Sequence, residues 1–399
     1  MVYDVAIIGG GASGLTALIT LLQNGVNNVV LLERLNRVGK KIIATGNGQG
    51  NLMNESLSVE NFHSNKKDFP NHSISTFGKE EYKSFLKGLG ISVVADSEGR
   101  VYPLSKQASS VLDFMRAYLD SVGAQIKTDF FVTKIAKKDE LFTVVSEDGQ
   151  TVKAKYVIYA TGGNCQKQFG TDGSGYKVLT ALGHTVTKLY PALVQLKTET
   201  EKIKSLKGLK ADAVITAFNK GTPVATATGE VLFTDYGISG NAVFKISGFV
   251  ADENDNKVVI QFIPELTEDE LKQTIVDRKK NQPYLPTDEL LTGLVNKMVG
   301  KAIIKYANGT SAREIANSAK NFTLTVKGTT GFNFAQVTKG GVDVKDVSSK
   351  TMESSIVKNL YIVGEVLDVD GDCGGYNLQW AFSSAQVAVN SVLDRLGAK

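Results

Sequence analysis

The stretch that most constrains this chain is its first, from Val2 to Glu33. Tyr3-Asp4-Val5-Ala6-Ile7-Ile8 is a short apolar run suited to a strand buried in a parallel sheet. It runs directly into Gly9-Gly10-Gly11-Ala12-Ser13-Gly14, a G-x-G-x-x-G with glycines at 9, 11 and 14. Leu15, Leu18, Ile19 and Leu22 recur at helical spacing, and Gly25 stands where a helix would stop. A second apolar run, Val29-Val30-Leu31-Leu32, ends in Glu33. Strand, turn, helix and strand in this order predict a Rossmann-like α/β unit that binds a dinucleotide. Gly9 makes the tight turn, Gly11 lets backbone approach a pyrophosphate, and Gly14 lets helix and strand pack closely. The pyrophosphate would rest on the helix N-terminus at Ala12 and Ser13, where free N–H groups favour an anion. Glu33, nineteen residues past Gly14, is placed to accept ribose hydroxyls, with Arg34 beside it.

The next segment is basic and then glycine-rich. Arg34, Arg37, Lys40 and Lys41 precede Ile42-Ile43-Ala44-Thr45-Gly46-Asn47-Gly48-Gln49-Gly50-Asn51. Basic side chains beside such a loop suit phosphate, and Thr45, Gly46 and Asn51 would bring backbone close to a flat ligand. Read alone, the same stretch is an ordinary exposed loop.

Helical patterns follow over 79–89 and 108–122, the second closed by Gly123. Phe130 to Ile135 (including Val132), Leu141 to Val145 and Thr151 to Ala154 read as a three-stranded meander. It feeds a separate buried strand, Tyr156-Val157-Ile158-Tyr159, which ends in Ala160-Thr161-Gly162-Gly163. A strand ending in Ala-Thr-Gly-Gly after a meander is the second fingerprint of two-dinucleotide flavoproteins. The two fingerprints together point to FAD.

After Pro191 the texture becomes Thr-, Val-, Lys- and Gly-rich strands, interrupted by a polar helical interval from Glu268 to about Asn317. Leu360 to Val363 returns to the nucleotide fold, Gly364-Glu365 follows it, and 378–396 is a final helix. The expected domains are therefore an FAD-binding one (1–190 with 342–399), a β-rich substrate domain (191–266 with 318–341) and a helical insertion (267–317).

Composition narrows the class. The 399 residues are 42% hydrophobic and 22% charged, as in a folded globular protein. A net charge of +4 and scattered basic residues argue against a nucleic-acid partner. Only Cys165 and Cys373 occur, far apart, so no disulfide framework, dithiol relay or metal set is encoded, and a reducing cytoplasm is expected. No run reaches the length of a membrane span.

The most specific motif is Gly364-Glu365-Val366-Leu367-Asp368-Val369-Asp370-Gly371-Asp372-Cys373-Gly374-Gly375-Tyr376-Asn377-Leu378-Gln379-Trp380-Ala381. With Gly99-Arg100-Val101-Tyr102-Pro103, Leu232 to Gly240, Ala335 to Val342 and Thr351-Met352-Glu353-Ser354, it resembles one family over nearly the whole chain. These are the bacterial three-domain FAD-dependent oxidoreductases that include aminoacetone oxidases and proposed bile-acid reductases. The resemblance implies a glutathione-reductase-type FAD domain with an inserted β-rich domain and a small helical subdomain. It also implies non-covalent FAD contacts from Gly364, Glu365, Asp370, Gly375, Tyr376, Asn377 and Leu378. Where the family usually has Gly-Arg-Cys-Asn, this chain has Gly48-Gln49-Gly50-Asn51, and Asp235 and Asn241 also depart from its pattern. These departures bear on substrate and electron acceptor, not on FAD.

Flavin carries the redox step while protein supplies binding and electrostatics. No second G-x-G-x-x-G follows a strand, so NAD(P)H is expected only as a transient reductant. Only His63, His72 and His184 are available as imidazoles. His184 follows a helix-ending glycine and reads more simply as a capping residue, yet stays a catalytic candidate. Tyr236 and Tyr376 are candidates because the resemblance places their motifs near the flavin. Three readings stay open: reduction of an activated C=C bond with NAD(P)H, oxidation of a small amine by dioxygen, and a flavin-binding RNA-modification or sensor protein. A small-molecule substrate and a monomer or homodimer are expected.

Overall fold

The structure, a computed structural model, describes residues 1–250 and 255–398. They form two compact units, Met1–Leu189 with Val337–Lys399 and Tyr190–Gln336.

The first unit is built on a seven-stranded sheet. The opening strand, Val2–Ile8, lies parallel between Val29–Leu32 and Thr151–Tyr159. Val5, Ala6, Ile7 and Ile8 are buried because both faces of the sheet are covered. Gln125–Lys127 extends one side, and Leu360–Ile362 pairs parallel with Thr151–Tyr159 on the other. The last strand therefore belongs to the sheet begun by the first. The helices Ala12–Gln23 and Tyr376–Leu396 pack against each other, joining the chain's two ends.

One expectation is corrected. Thr151 to Tyr159 is a single strand, not a meander strand followed by a second one. Its first part pairs antiparallel with Leu141–Ser146, whereas its last three residues run beside Leu360–Ile362. Its burial changes accordingly, from alternating at Thr151 to Lys155 to continuous at Val157 to Tyr159. Period 2 marks a strand covered on one face and an unbroken run one covered on both, so one strand looks like two.

Among the described residues, the second unit contains a closed six-stranded barrel. In it Lys210–Asn219 pairs antiparallel with Thr222–Phe233 and Asn256–Phe262. The helices Glu268–Asn281, Lys297–Lys305 and Ala312–Lys320 leave and return between two paired strands, Asn256–Phe262 and Phe322–Thr329. Leu271, Ile275, Ile303 and Ile315 are buried in one cluster with barrel residues Ile215, Val258 and Leu324. The helices thus share the barrel's core.

Candidate functional site

In the first unit, four turns leave the carboxyl ends of neighbouring parallel strands: Gly9–Gly14, Glu33–Arg34, Ala160–Gly163 and Gly364–Glu365. Such an edge is where open α/β sheets bind ligands.

The three motif glycines do different work. Gly9 has φ +103° and sits so close to Ala160 that any β-carbon would strike the Ala160 carbonyl. A β-carbon on Gly14 would strike the Gly9 carbonyl. Gly11 has an ordinary φ of −82°, and a β-carbon there would meet nothing within 4 Å. The first helix begins after Gly11 with no side-chain cap and no acidic residue in its first turn. Its N–H groups and dipole are thus unopposed toward an anion.

Glu33 is buried, with one carboxylate oxygen accepting from Gly10 N–H at 2.7 Å and the other from Leu35 N–H at 2.8 Å. Burial raises its pKa, and the two backbone bonds oppose that rise. Each oxygen retains a second lone pair for a ribose hydroxyl.

Two of the basic residues, Arg34 and Lys41, are ion-paired. Arg34 donates to Asp172 at 2.7 Å and Ser174 at 3.2 Å, and its guanidinium lies 4.1 Å from the centre of the Phe131 ring. Burial alone would raise the Asp172 carboxyl, but the bonds from Arg34 and Ser174 outweigh it and hold it at about 2. Lys41 Nζ lies 2.7 Å from Glu365 Oε2, while Glu365 Oε1 accepts the Thr338 N–H at 3.0 Å. Lys41 and Arg34 thus each stand in an ion pair that ties distant segments together.

The remaining candidates are held by local contacts. Thr45 Oγ1 donates to the Ile42 carbonyl at 2.7 Å, and Gly46 (φ +56°) packs against Asn51 and the Tyr102 ring. Asn51 Oδ1 is buried without a partner among the described residues. Ala160 and Val132 are buried, Thr161 crowds Gly175, and Gly162 takes φ +73° against Thr171. Gly364 abuts Ser13, so the first and last turns touch, and Trp380 Nε1 donates to the Gly364 carbonyl at 3.2 Å.

At the C-terminal motif, Gly375 (φ +103°) opens the long final helix, which starts at Tyr376 rather than at the expected 378. Asn377 brackets Gly371, accepting its N–H at 2.8 Å and donating to its carbonyl at 2.8 Å. Leu378 packs against the core, and Tyr376 is buried edge-on against Phe62 at 6.1 Å. These features fit FAD: a bare helix N-terminus beside Gly11, open space at Gly11 itself, a buried acceptor at Glu33, and an unpartnered amide oxygen at Asn51.

His184 is 2% exposed, with Nδ1 3.2 Å from the Leu179 carbonyl and Nε2 2.8 Å from Ser354 Oγ. Since a carbonyl only accepts, Nδ1 carries the proton and Ser354 donates to Nε2. Burial lowers its pKa, so it is a neutral structural imidazole with both nitrogens used. Tyr236 lies in the second unit, on the turn after Thr222–Phe233. Cys165 is buried with its thiol pushed up to about 12 by burial, and neither Cys165 nor Cys373 forms a disulfide.

Sequence reasoning missed a cluster at the C-terminal motif. The short strand Phe62–His63 pairs with Asp370–Gly371, setting His63 opposite Asp370. His63 Nε2 lies 2.8 Å from Asp372 Oδ1, and Asn61 Nδ2 donates to Asp372 Oδ2 at 3.1 Å. The bond to Asp372 raises the His63 pKa against burial, and burial pushes the Asp370 carboxyl up to about 7. No local spacing announces a pair 309 residues apart.

Residues 3–391 match the family described as HI0933-like protein Rossmann domain. The chain is 35% identical to a 3-dehydro-bile acid delta(4,6)-reductase from Clostridium scindens, covering 98% of this chain and 99% of that one. It is 29% identical to a ribosomal RNA dihydrouridine synthase from Haemophilus influenzae, covering 97% of each. A protein of the same name from Escherichia coli is 28% identical over 98% of each. Among solved structures, the open conformation of a flavocytochrome c3 fumarate reductase aligns with a TM-score of 0.52 at 15% identity, covering 98% of this chain and 78% of that one. That likeness concerns the fold.

Proposed function

From the premise that the chain belongs to the HI0933-like Rossmann-domain family and is an FAD-dependent oxidoreductase, we propose that it reduces a carbon–carbon double bond conjugated to a carbonyl. The observation that carries this reading is the full-length similarity, at 35% identity, to a protein named for reducing delta(4,6) bonds. The two relatives named dihydrouridine synthases support the same chemistry, since dihydrouridine is uridine with one ring double bond reduced.

Bound FAD supplies the hydride. The chain's own part is to hold it and to manage the proton. The N-terminus of Ala12–Gln23, with open space at Gly11, would receive the pyrophosphate, and Glu33 the ribose. Residues 191–266 with 318–341 are proposed to select the substrate. Reduced nicotinamide is the proposed donor, visiting transiently.

A uridine in RNA is the second reading of the substrate, favoured by the two relatives of that name. The small net charge of +4 weighs toward the small molecule, because phosphate contacts draw on clustered cations.

The test is anaerobic. NADH, NADPH and aminoacetone are offered separately to the yellow protein, and the flavin band is followed. Bleaching by a nicotinamide, then recovery on adding a 3-keto-4,6-diene bile acid, is expected. Recovery with uridine-containing RNA alone selects the second reading. Bleaching by aminoacetone, with peroxide formed on admitting air, replaces both with the amine oxidase.

A further inference from the structure

Reduction of a conjugated double bond needs two deliveries. A hydride goes to the carbon β to the carbonyl, and the resulting enolate takes a proton at the α-carbon. The site described above holds the cofactor but contains few groups that carry a proton near neutral pH. His184 is neutral and enclosed, Cys165 is a buried thiol, and Glu33 is bound by two backbone N–H groups.

The cluster at His63 differs. Its imidazole side chain is 31% exposed, so it is reachable, and Asp372 holds one ring nitrogen at 2.8 Å. Asp372 is itself fixed, its N–H donating to the Asn61 carbonyl at 2.8 Å and its other oxygen accepting from Asn61 Nδ2 at 3.1 Å. Asp370 stands opposite His63 across the strand pair and is buried. Gly374 and Gly375 follow Asp372 within three residues and lead into Tyr376, whose ring packs on Phe62, the neighbour of His63. An acid–base group oriented by a carboxylate, at the rim of a cofactor loop, is the arrangement expected of a general acid.

We propose that His63 is the proton donor of the reduction, with Asp372 as the residue that positions it. This rests on the reading of the chain as a double-bond reductase. The β-carbon takes the hydride, the C=C electron pair moves to form the enolate, and the α-carbon takes the imidazolium proton. The N–H electron pair stays on the ring, which keeps its hydrogen bond to Asp372, and water later restores the proton. The charges facing the ring are Asp372 and Asp370 from the motif strand and its loop and Lys339 from Val337–Lys339. The two carboxylates favour the imidazolium and Lys339 opposes it.

The experiment uses the FAD-loaded protein and its His63→Gln and Asp372→Asn variants. Each is reduced anaerobically with dithionite, which bypasses the donor question. It is then mixed with a 3-keto-4,6-diene bile acid or, separately, a uridine-containing RNA, from pH 5.5 to pH 9. His63→Gln is expected to retain FAD and reduce normally, yet reoxidise roughly 10²–10⁴-fold more slowly, without the alkaline decline of the wild type. Asp372→Asn is expected to react with that decline moved to lower pH. An independent readout is the ring NMR titration of the three histidines, in which the signal lost in His63→Gln should move to lower pKa in Asp372→Asn. Reoxidation of His63→Gln at the wild-type rate overturns the proposal. So does slowing by the same factor at every pH with the wild-type decline intact, which is a structural effect. Wild-type protein that neither probe reoxidises, while dioxygen does, overturns the reductase reading and the proposal with it.

Discussion

The carbonyl oxygen of Gly9 occupies the place that a β-carbon on Gly14 would need. The strand end and the first helix are therefore in backbone contact, and the helix N-terminus is brought over the sheet edge by packing alone. Gly11, two residues from Gly9, faces open space instead.

That contrast separates folding from binding. Gly14→Val should destabilise the fold by ~1–3 kcal/mol, the cost of overpacking, or prevent accumulation of folded protein. Gly11→Val should fold with a wild-type circular dichroism spectrum but lose FAD. A normal flavin-to-protein ratio in Gly11→Val would remove this turn from the cofactor site.

The cofactor is expected to be FAD held without a covalent bond. The residues that frame the site offer hydrogen bonds and a helix N-terminus. Acid precipitation should leave the flavin in the supernatant, where chromatography identifies it as FAD. Flavin in the pellet, or FMN in solution, would contradict this.

Asp370 makes stability depend on pH. Its carboxyl is raised from 3.8 to about 7 by burial, so the folded state binds this proton more tightly than the unfolded chain. The resulting stabilisation is complete below the unfolded value and is lost as pH rises through about 7. Asp370→Asn cannot ionise, so the unfolding free energy from denaturant titration should shift in its favour by up to ~4 kcal/mol between about pH 4 and about pH 8. A pH-independent difference would show that Asp370 titrates normally.

His184 is expected to matter for folding alone. Loss of its two buried hydrogen bonds in His184→Ala should cost roughly 1–3 kcal/mol. FAD content and the pH profile of flavin reoxidation should stay at wild type. A changed pH profile would return His184 to the chemistry.

If reduced nicotinamide is the donor, it should share one face of the flavin with the oxidising substrate. Initial rates should then give parallel double-reciprocal lines. Intersecting lines, with a ternary complex holding nicotinamide and substrate at separate sites, would require a resident nicotinamide site.

The sequence by itself determined the opening unit. A buried strand, glycines at 9, 11 and 14, a helical repeat and Glu33 are local patterns, and each acts through its own backbone angle or periodicity. The return of the chain to the same sheet at Leu360–Ile362 was legible for the same reason. Tertiary structure decided what depends on closure. Thr151–Tyr159 is one strand because Val2–Ile8 pairs along it from Lys153 to Tyr159 while its two halves have different neighbours on the other side, and the strands after Tyr190 close into a barrel whose core the helices share. It also decided which charges are paired. Lys41 is paired with Glu365, Arg34 with Asp172, and His63 with Asp372, partners 324, 138 and 309 residues away. Charge pairing over such separations leaves no periodic trace in the sequence, because it depends on which strand ends the folded sheet sets side by side.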